Sequence, residues 1–348
     1  MVLMEKNFHF LFRNIFKGDF HMKKIVSFLL CVSMILCAIS LTACGPKEKE
    51  TLKLGLGVYT SAKATSATAD KNGSGQATAT GAAILIDAEG KIVKCFLDCA
   101  DSTVSYTANG QAITAESFST KYEQGDAYGM KAYGGAAKEW YEQANAFCEV
   151  VKGKTLNEVK ALVASNNAGT DDVINAGCTI AVSEFVKAIE KAFANAKDTS
   201  ATENDTLKLG VSTNLSTKDA TAEKAGQSQL ETTFFAAAVG TGGKITAAYS
   251  DCVQVTFNFD ANGATLMDGE KTVSTKRDAG DSYGMKTYGG AAKEWYEQAN
   301  AFDAACIGKT ASNVNALIGD DNYGASDLQS AGCTILVNGF VKAASKVG

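Results

Sequence analysis

The sequence predicts an α+β fold in two tandem homologous domains, each an antiparallel sheet packed with helices. Two observations carry this. The chain repeats itself: "TLKLG" at Thr51 returns at Thr206, and "AGCTI" at Ala176 returns at Ala331, both at an offset of 155 residues. Within each copy, strand-like runs come first and helix-like runs follow. Two copies of so long a period do not make a solenoid.

Taken in chain order, residues 1–21 match no targeting signal and read as an upstream extension from a start codon placed too early. Residues 22–43 read as a leader. Met22-Lys23-Lys24 is its charged start, Ile25 to Ser40 its apolar core, and Leu41-Thr42-Ala43 its end before Cys44. That core is short for a membrane span. Leu-x-Ala-Cys followed by Gly45 resembles the lipobox of bacterial lipoproteins, which implies that Cys44 is acylated and begins the mature chain; an ordinary secretory signal or an uncleaved anchor is the alternative. Residues 44–50 would be a lipidated tether, 51–197 the first domain, 198–205 a polar linker and 206–348 the second domain.

In the first domain, "AAILIDAEGKIVKCFLDC" (82–99) is an apolar run, a turn and an alternating run, the pattern of a β-hairpin. "GKITAAYSDC" at Gly243 echoes its second strand at an offset of 153, and "VQVTFNFDANGATLMDG" (253–269) alternates more cleanly still. The segment from Gly134 has helical spacing. Ala137, Trp140, Tyr141, Ala144 and Phe147 fall on one face, and Glu139, Glu142 and Gln143 on the other. "GKTLNEVKALV" starts a further helix with Thr155 as N-cap and Glu158 completing a capping box. A closing helix covers about 183–196.

Composition narrows the function. A net charge of −5 argues against nucleic acid as partner. Both histidines, His9 and His21, precede the expected mature chain, which removes Ser-His and Cys-His nucleophile pairs and His-ligated metal. Seven cysteines follow Cys44, an odd number without a Cys-x-x-Cys, so a thiolate metal cluster is not expected and some thiols stay free. No catalytic acid–base pair stands out.

Two shared features carry the candidate site. Residues 125–147 and 280–302 differ at only two of 23 positions, although the strands around them have diverged. A core helix with a Trp anchor is one reading. A ligand wall is the other, with Tyr128, Met130, Tyr133 and Trp140 in one copy and Tyr283, Met285, Tyr288 and Trp295 in the other; aromatic and thioether groups suit a planar heterocycle. In "AGCTI" the cysteine lacks a histidine to activate it. The threonine, Thr179 or Thr334, follows a Gly turn at Gly177 or Gly332 and precedes the closing helix, where a phosphate can be seated. A Thr that merely caps the helix or starts a strand fits the spacing too.

The pattern [Ser/Ala]-Gly-[Ala/Cys]-Thr resembles the flavinylation motif Asp-x-x-Ser-Gly-Ala-Thr of FMN-binding domains, as in subunits of Rnf-type and sodium-pumping quinone reductase complexes. Over nearly all of 44–348, through the lipobox, "TLKLGLG", "GKIVK", "YGMKAYG", "KEWYEQANAF", "GKTLNEVK" and "TDDVINAGCTI", the chain resembles two-domain FMN-binding lipoproteins of Gram-positive extracellular electron transfer. The resemblance implies two FMN-binding-like domains, with FMN joined as a phosphoester to Thr179 and Thr334 by a flavin transferase. It implies an electron carrier at the outer face of the cytoplasmic membrane, held by its lipid. The donor would be a membrane quinol/NADH dehydrogenase system, and the acceptors ferric iron or free flavin. Ala176 and Ala331 stand in place of the motif's Ser, Cys178 and Cys333 in place of its Ala, and Asp172 and Asp327 lie one residue further from the Thr. A lipid-anchored ligand- or partner-binding protein without flavin is the alternative, and a thiol redox protein using Cys178 and Cys333 a third reading.

Overall fold

The computed structural model describes residues 50–115 and 117–348, so the extension, the leader and Cys44 lie outside the described residues. Strand β1 (Lys53–Thr65) runs antiparallel to β2 (Gly73–Ile86), which pairs with β3 (Ile92–Tyr106); the short β4 (Ala112–Ile113) follows. The helices α1 (Lys121–Gln124), α2 (Trp140–Val151), α3 (Leu156–Lys160), α4 (Asp171–Asn175) and α5 (Ser183–Ala194) come next, then β5 (Lys197–Asp198). The second half repeats the plan with β6 (Thr206–Lys218), β7 (Gly226–Val239), β8 (Ile245–Phe259) and the short β9 (Lys271–Val273). Helices α6 (Lys276–Ala279), α7 (Trp295–Cys306), α8 (Ser326–Ser330) and α9 (Asn338–Ser345) complete it, with a 3-10 helix over Ala311–Leu317 where the first half has α3. The fold is α+β with antiparallel sheets, as the sequence predicts. The hairpin turn at 87–91 and the Thr155/Glu158 capping box fall where expected.

The two halves share one core. On β2, Ala77, Ala79, Ala83 and Leu85 face the other sheet, while Ala82, Ile84 and Ile86 face the first half's helices. On β7 the neighbours Phe234 and Phe235 divide the same way, Phe234 toward the other sheet and Phe235 toward helices α7 and α9. The layers are therefore helices, sheet, sheet, helices. Strands covered on both faces read as continuous apolar runs, which is why "GAAILI" and "FFAAAV" do not alternate. Glycine in "TLKLG" has a packing reason. A Cβ on Gly55 or Gly210 would run into the Ala192 or Ala343 carbonyl oxygen, so the closing helix lies directly on the strand backbone.

The tandem arrangement needs correction in one respect: residues 51–348 form a single compact unit. Strand β9 of the second half pairs with β1, Thr60 opposite Val273, and the hairpin tips clasp each other through Ala67 N–H to Gly263 O (2.8 Å) and Ala220 N–H to Gly110 O (2.7 Å). Ion pairs Lys191–Asp278 and Lys346–Glu123 also cross between halves. The expected linker at 198–205 is tied down, with Thr199 Oγ1 donating to Leu52 O (2.6 Å), Leu52 N–H to Ala201 O (2.8 Å) and Ser200 Oγ to Thr246 O (2.8 Å). Its polar side chains cap backbone groups instead of facing only water. No helix among the described residues is long and apolar enough to cross a membrane.

Candidate functional site

The near-identical block and the "AGCTI" turn are parts of one site, joined by an amide that the sequence does not single out. Gln143 on α2 is 1% exposed, although its polarity places it on the solvent face in a helical-wheel reading. Its Oε1 accepts both the Thr179 N–H (2.8 Å) and the Thr179 hydroxyl (3.0 Å), and its Nε2 donates to Lys138 O (3.0 Å). Gln298 repeats this with Thr334, at 2.8 and 3.0 Å, and with Lys293 O at 3.1 Å. A buried amide with both ends satisfied fixes its neighbours in a way no apolar residue can replace.

The helix begins at Trp140, not at Gly134, because Glu139 is its N-cap. Glu139, 2% exposed, accepts the N–H groups of Met130 (2.8 Å) and Lys131 (3.0 Å), while Glu142 Oε2 returns to the Glu139 N–H (2.8 Å). Residues 130–139 are thereby held as a loop over the helix start, with Gly129 in the left-handed region at φ 81°. Glu294 does the same for Met285 (2.8 Å) and Lys286 (3.0 Å). Upstream, Asp98 on β3 accepts the Thr120 hydroxyl (2.7 Å), Cys99 N–H (2.7 Å) and Tyr122 N–H (3.2 Å), which pins α1 to the sheet. Its counterpart Asp251 accepts from Cys252 N–H (2.7 Å) and Arg277 N–H (3.3 Å). Burial raises both carboxyls to about 6.

Thr179 and Thr334 are exposed, and they lie four residues before the closing helix, so neither caps it. Gly177 and Gly332 adopt φ 98°, and a Cβ at either would land on the ammonium of Lys138 or Lys293. These lysines lie across the turn, donating to Ala176 O (3.4 Å) and Ala331 O (3.2 Å). Each site thus offers an exposed threonine whose hydroxyl is held by a buried amide, a side-chain-free turn and a cation beside it. The adjacent Cys178 and Cys333 are fully buried, and burial pushes their thiols up to about 11, against a thiolate role.

The aromatic residues divide into three kinds. Trp140 and Trp295 are 5% and 3% exposed and pack in the helical core, Trp140 edge-on to Phe185 and Trp295 stacked on Phe340. Tyr128 is half-buried and Tyr283 is 37% exposed; Lys121 lies 5.3 Å from the Tyr128 ring centre and Lys276 lies 5.4 Å from that of Tyr283. Met130 and Met285 are half-buried, with their sulfurs beside the Gln143 and Gln298 amides (4.0 and 3.9 Å). Tyr133 and Tyr288 stand out in solvent at 91% and 87%. The structure joins Met130 to Thr179 through Gln143, and Tyr128 to Trp140 through Lys121, which is also 6.0 Å from the indole. Lys121 and Lys276 had a signal, since "STK" recurs at 119–121 and 274–276. Two clefts, of about 270 and 390 Å³, lie elsewhere; neither is lined by the threonines or these tyrosines. Among the described residues no cluster of His, Cys, Asp or Glu is placed to hold a metal ion.

Fold and site define a duplicated α+β protein with a matched pair of surface threonine sites. No family model matches the chain, and no solved structure matches it. A 95-residue stretch is 39% identical to chlorophenol reductase of Desulfitobacterium hafniense, covering 23% of this chain. The chain spans 29% of the length of that relative.

Proposed function

We propose that the chain is an extracytoplasmic, lipid-anchored electron carrier bearing FMN as a phosphoester on Thr179 and Thr334. The observation that supports this reading is the pair of exposed threonines clamped by buried amides, built alike in both halves while the flanking strands diverged. The residues present fit a phosphoester. The turn at Gly177 carries no side chain, the Lys138 ammonium lies directly over it where a phosphate would be neutralised, and Gln143 accepts the Thr179 backbone N–H and hydroxyl before attachment. Gly332, Lys293 and Gln298 serve the second site in the same way. Bound FMN would supply reversible one- and two-electron chemistry. The chain's own part is to fix the attachment point and balance phosphate charge through the lysine, with Tyr133 and Tyr288 presented at the surface. A segment of similar sequence in a protein named as a reductase agrees with a redox setting. Electrons would come from a membrane quinol/NADH dehydrogenase system and pass to ferric iron or free flavin.

Coexpression with a bacterial flavin transferase, followed by intact-mass measurement, tests the reading. The expected result is a yellow protein with two added FMN groups, reduced to one by Thr179→Ala or Thr334→Ala and to none by both. A colourless protein of unmodified mass, with the transferase active on a control substrate, refutes it and leaves the flavin-free binding protein.

A further inference from the structure

The two threonine sites share a backbone frame but not the side chains that border it. A second segment runs antiparallel beside each threonine turn, pairing Ala168 with Ala181 in the first half and Tyr323 with Leu336 in the second. The frame is the same in both. Asn322 lies in the left-handed region at φ 67° and its carbonyl accepts the Val337 N–H (2.8 Å); Asn167, at φ 66°, accepts the Val182 N–H (2.9 Å). The Tyr323 N–H donates to Asp321 Oδ1 (3.1 Å) and its carbonyl accepts the Gly319 N–H (2.8 Å). The Ala168 N–H donates to Asn166 Oδ1 (3.2 Å) and its carbonyl accepts the Ala164 N–H (2.8 Å). On this common frame only the second half adds an aromatic ring and a branched apolar chain, and it leaves them 40% and 52% exposed.

Their place is beside Thr334. Leu336 follows it by two residues, and both are exposed. A Cβ on Gly324 would lie 3.1 Å from the Cys333 carbonyl oxygen, so the segment carrying Tyr323 rests directly against the residue before Thr334. The tryptophan of this half is not free to serve, since Trp295 is 3% exposed and stacked on Phe340.

We propose that Tyr323 and Leu336 seat the flat ring of the group carried on Thr334, a contact that the Thr179 site lacks. The inference rests on the reading of Thr334 as an FMN attachment point. The ribityl chain sets the ring away from the phosphate by about the length of two extended residues, roughly 7 Å, which is the reach from Thr334 to Leu336. A phenol face and a leucine side chain offer the apolar contact that such a ring takes. The two flavins would then be unlike: one held against an electron-rich phenol, which quenches flavin emission, and one bordered by Ala168 and Ala181.

The test uses the full chain coexpressed with a bacterial flavin transferase, with Thr334→Ala and Thr179→Ala leaving one flavin each, counted by intact mass. Emission and anisotropy per flavin are read on the folded proteins. The flavin on Thr334 should be dimmer than that on Thr179 by roughly 2- to 10-fold, the stacked-to-open ratio that one aromatic pair supplies, and should show the higher anisotropy. Tyr323→Ala should restore its emission and lower its anisotropy, whereas Tyr323→Phe should restore the emission and keep the anisotropy. Ala168→Tyr with Ala181→Leu should transfer the dimming to the flavin on Thr179, which frees the test from the folding of Tyr323→Ala. Equal emission from both sites, unmoved by these changes while the mass shows flavin, overturns the ring seat and leaves the attachment standing. A mass without flavin on Thr334 refutes the attachment, and the seat with it.

Discussion

Replacing Gln143 by Leu tests whether the buried amide holds the candidate site. The change keeps a side chain of similar size in the helical core and removes three hydrogen bonds: Thr179 N–H, Thr179 hydroxyl and the bond to Lys138 O. A typical intramolecular hydrogen bond contributes about 0.5–1.5 kcal/mol net. Thr179 is exposed, so water takes over part of its loss, and the total comes to about 2 kcal/mol. At roughly 2–4 °C per kcal/mol for a chain of this size, the unfolding temperature falls by roughly 4–8 °C. Thermal and urea unfolding measure this directly. After coexpression with a flavin transferase, intact mass should show occupancy falling at Thr179 and unchanged at Thr334, with Gln298→Leu giving the mirror result. Gln143→Glu retains the acceptor at Oε1 and loses only the donor to Lys138 O, so it should restore much of the occupancy. Wild-type unfolding of Gln143→Leu together with full occupancy at both threonines would refute the reasoning.

Three further outcomes follow from the same contacts. Asp98 and Asp251 have carboxyls raised from 3.8 to about 6, so their neutral forms favour the fold; that contribution is full below pH 3.8 and lost as pH rises through 6. Lowering the pH from 7 to 5 should therefore stabilise the protein by about 1 kcal/mol per group, with Asp98→Asn removing one share of the slope in urea titrations. Gly57→Ala drives a Cβ into the Ala188 carbonyl on α5 and should cost about 1–3 kcal/mol in unfolding free energy. Cys178→Ala with Cys333→Ala should leave flavin content and electron transfer to ferric iron at wild-type levels; loss of transfer with flavin retained would favour the thiol reading.

The repeat, the hairpins and the Thr155/Glu158 cap were legible because each is written in neighbouring residues. The helix start was not. Gly134 to Lys138 have helix-compatible spacing, but the Glu139 carboxylate reaches back to Met130 and Lys131 and holds them in a loop. Gln143 was misassigned because wheel patterning sorts residues by polarity, whereas a buried amide is placed by its partners. Nor does local patterning reveal β9 crossing to β1 or the anchoring of 198–205, since both depend on contacts between the halves. The threonines were legible only as a repeat; that they face water, held from behind, is a property of the fold.

The distribution of identity between the halves follows from these physics. Apolar positions have drifted because volume can be redistributed: Ala82 and Ile84 toward the first half's helices become Phe235 and Ala237 toward the second's. A buried hydrogen-bonded group has no such freedom, because losing one partner leaves a desolvated donor or acceptor. Glu139 and Glu294, Gln143 and Gln298, and Thr179 and Thr334 are therefore the same residues at the same distances. Where the buried residues do differ, as at Cys148 and Asp303, the partners differ with them, Arg277 supplying the charge that Asp303 needs. A fold constraint alone would hold Glu139 and Gln143 in place. It would not also hold the solvent-facing Tyr133 and Tyr288, or an exposed threonine beside a bare glycine turn. Those identities are what a common occupant would require, and on the proposed reading both sites take the same group.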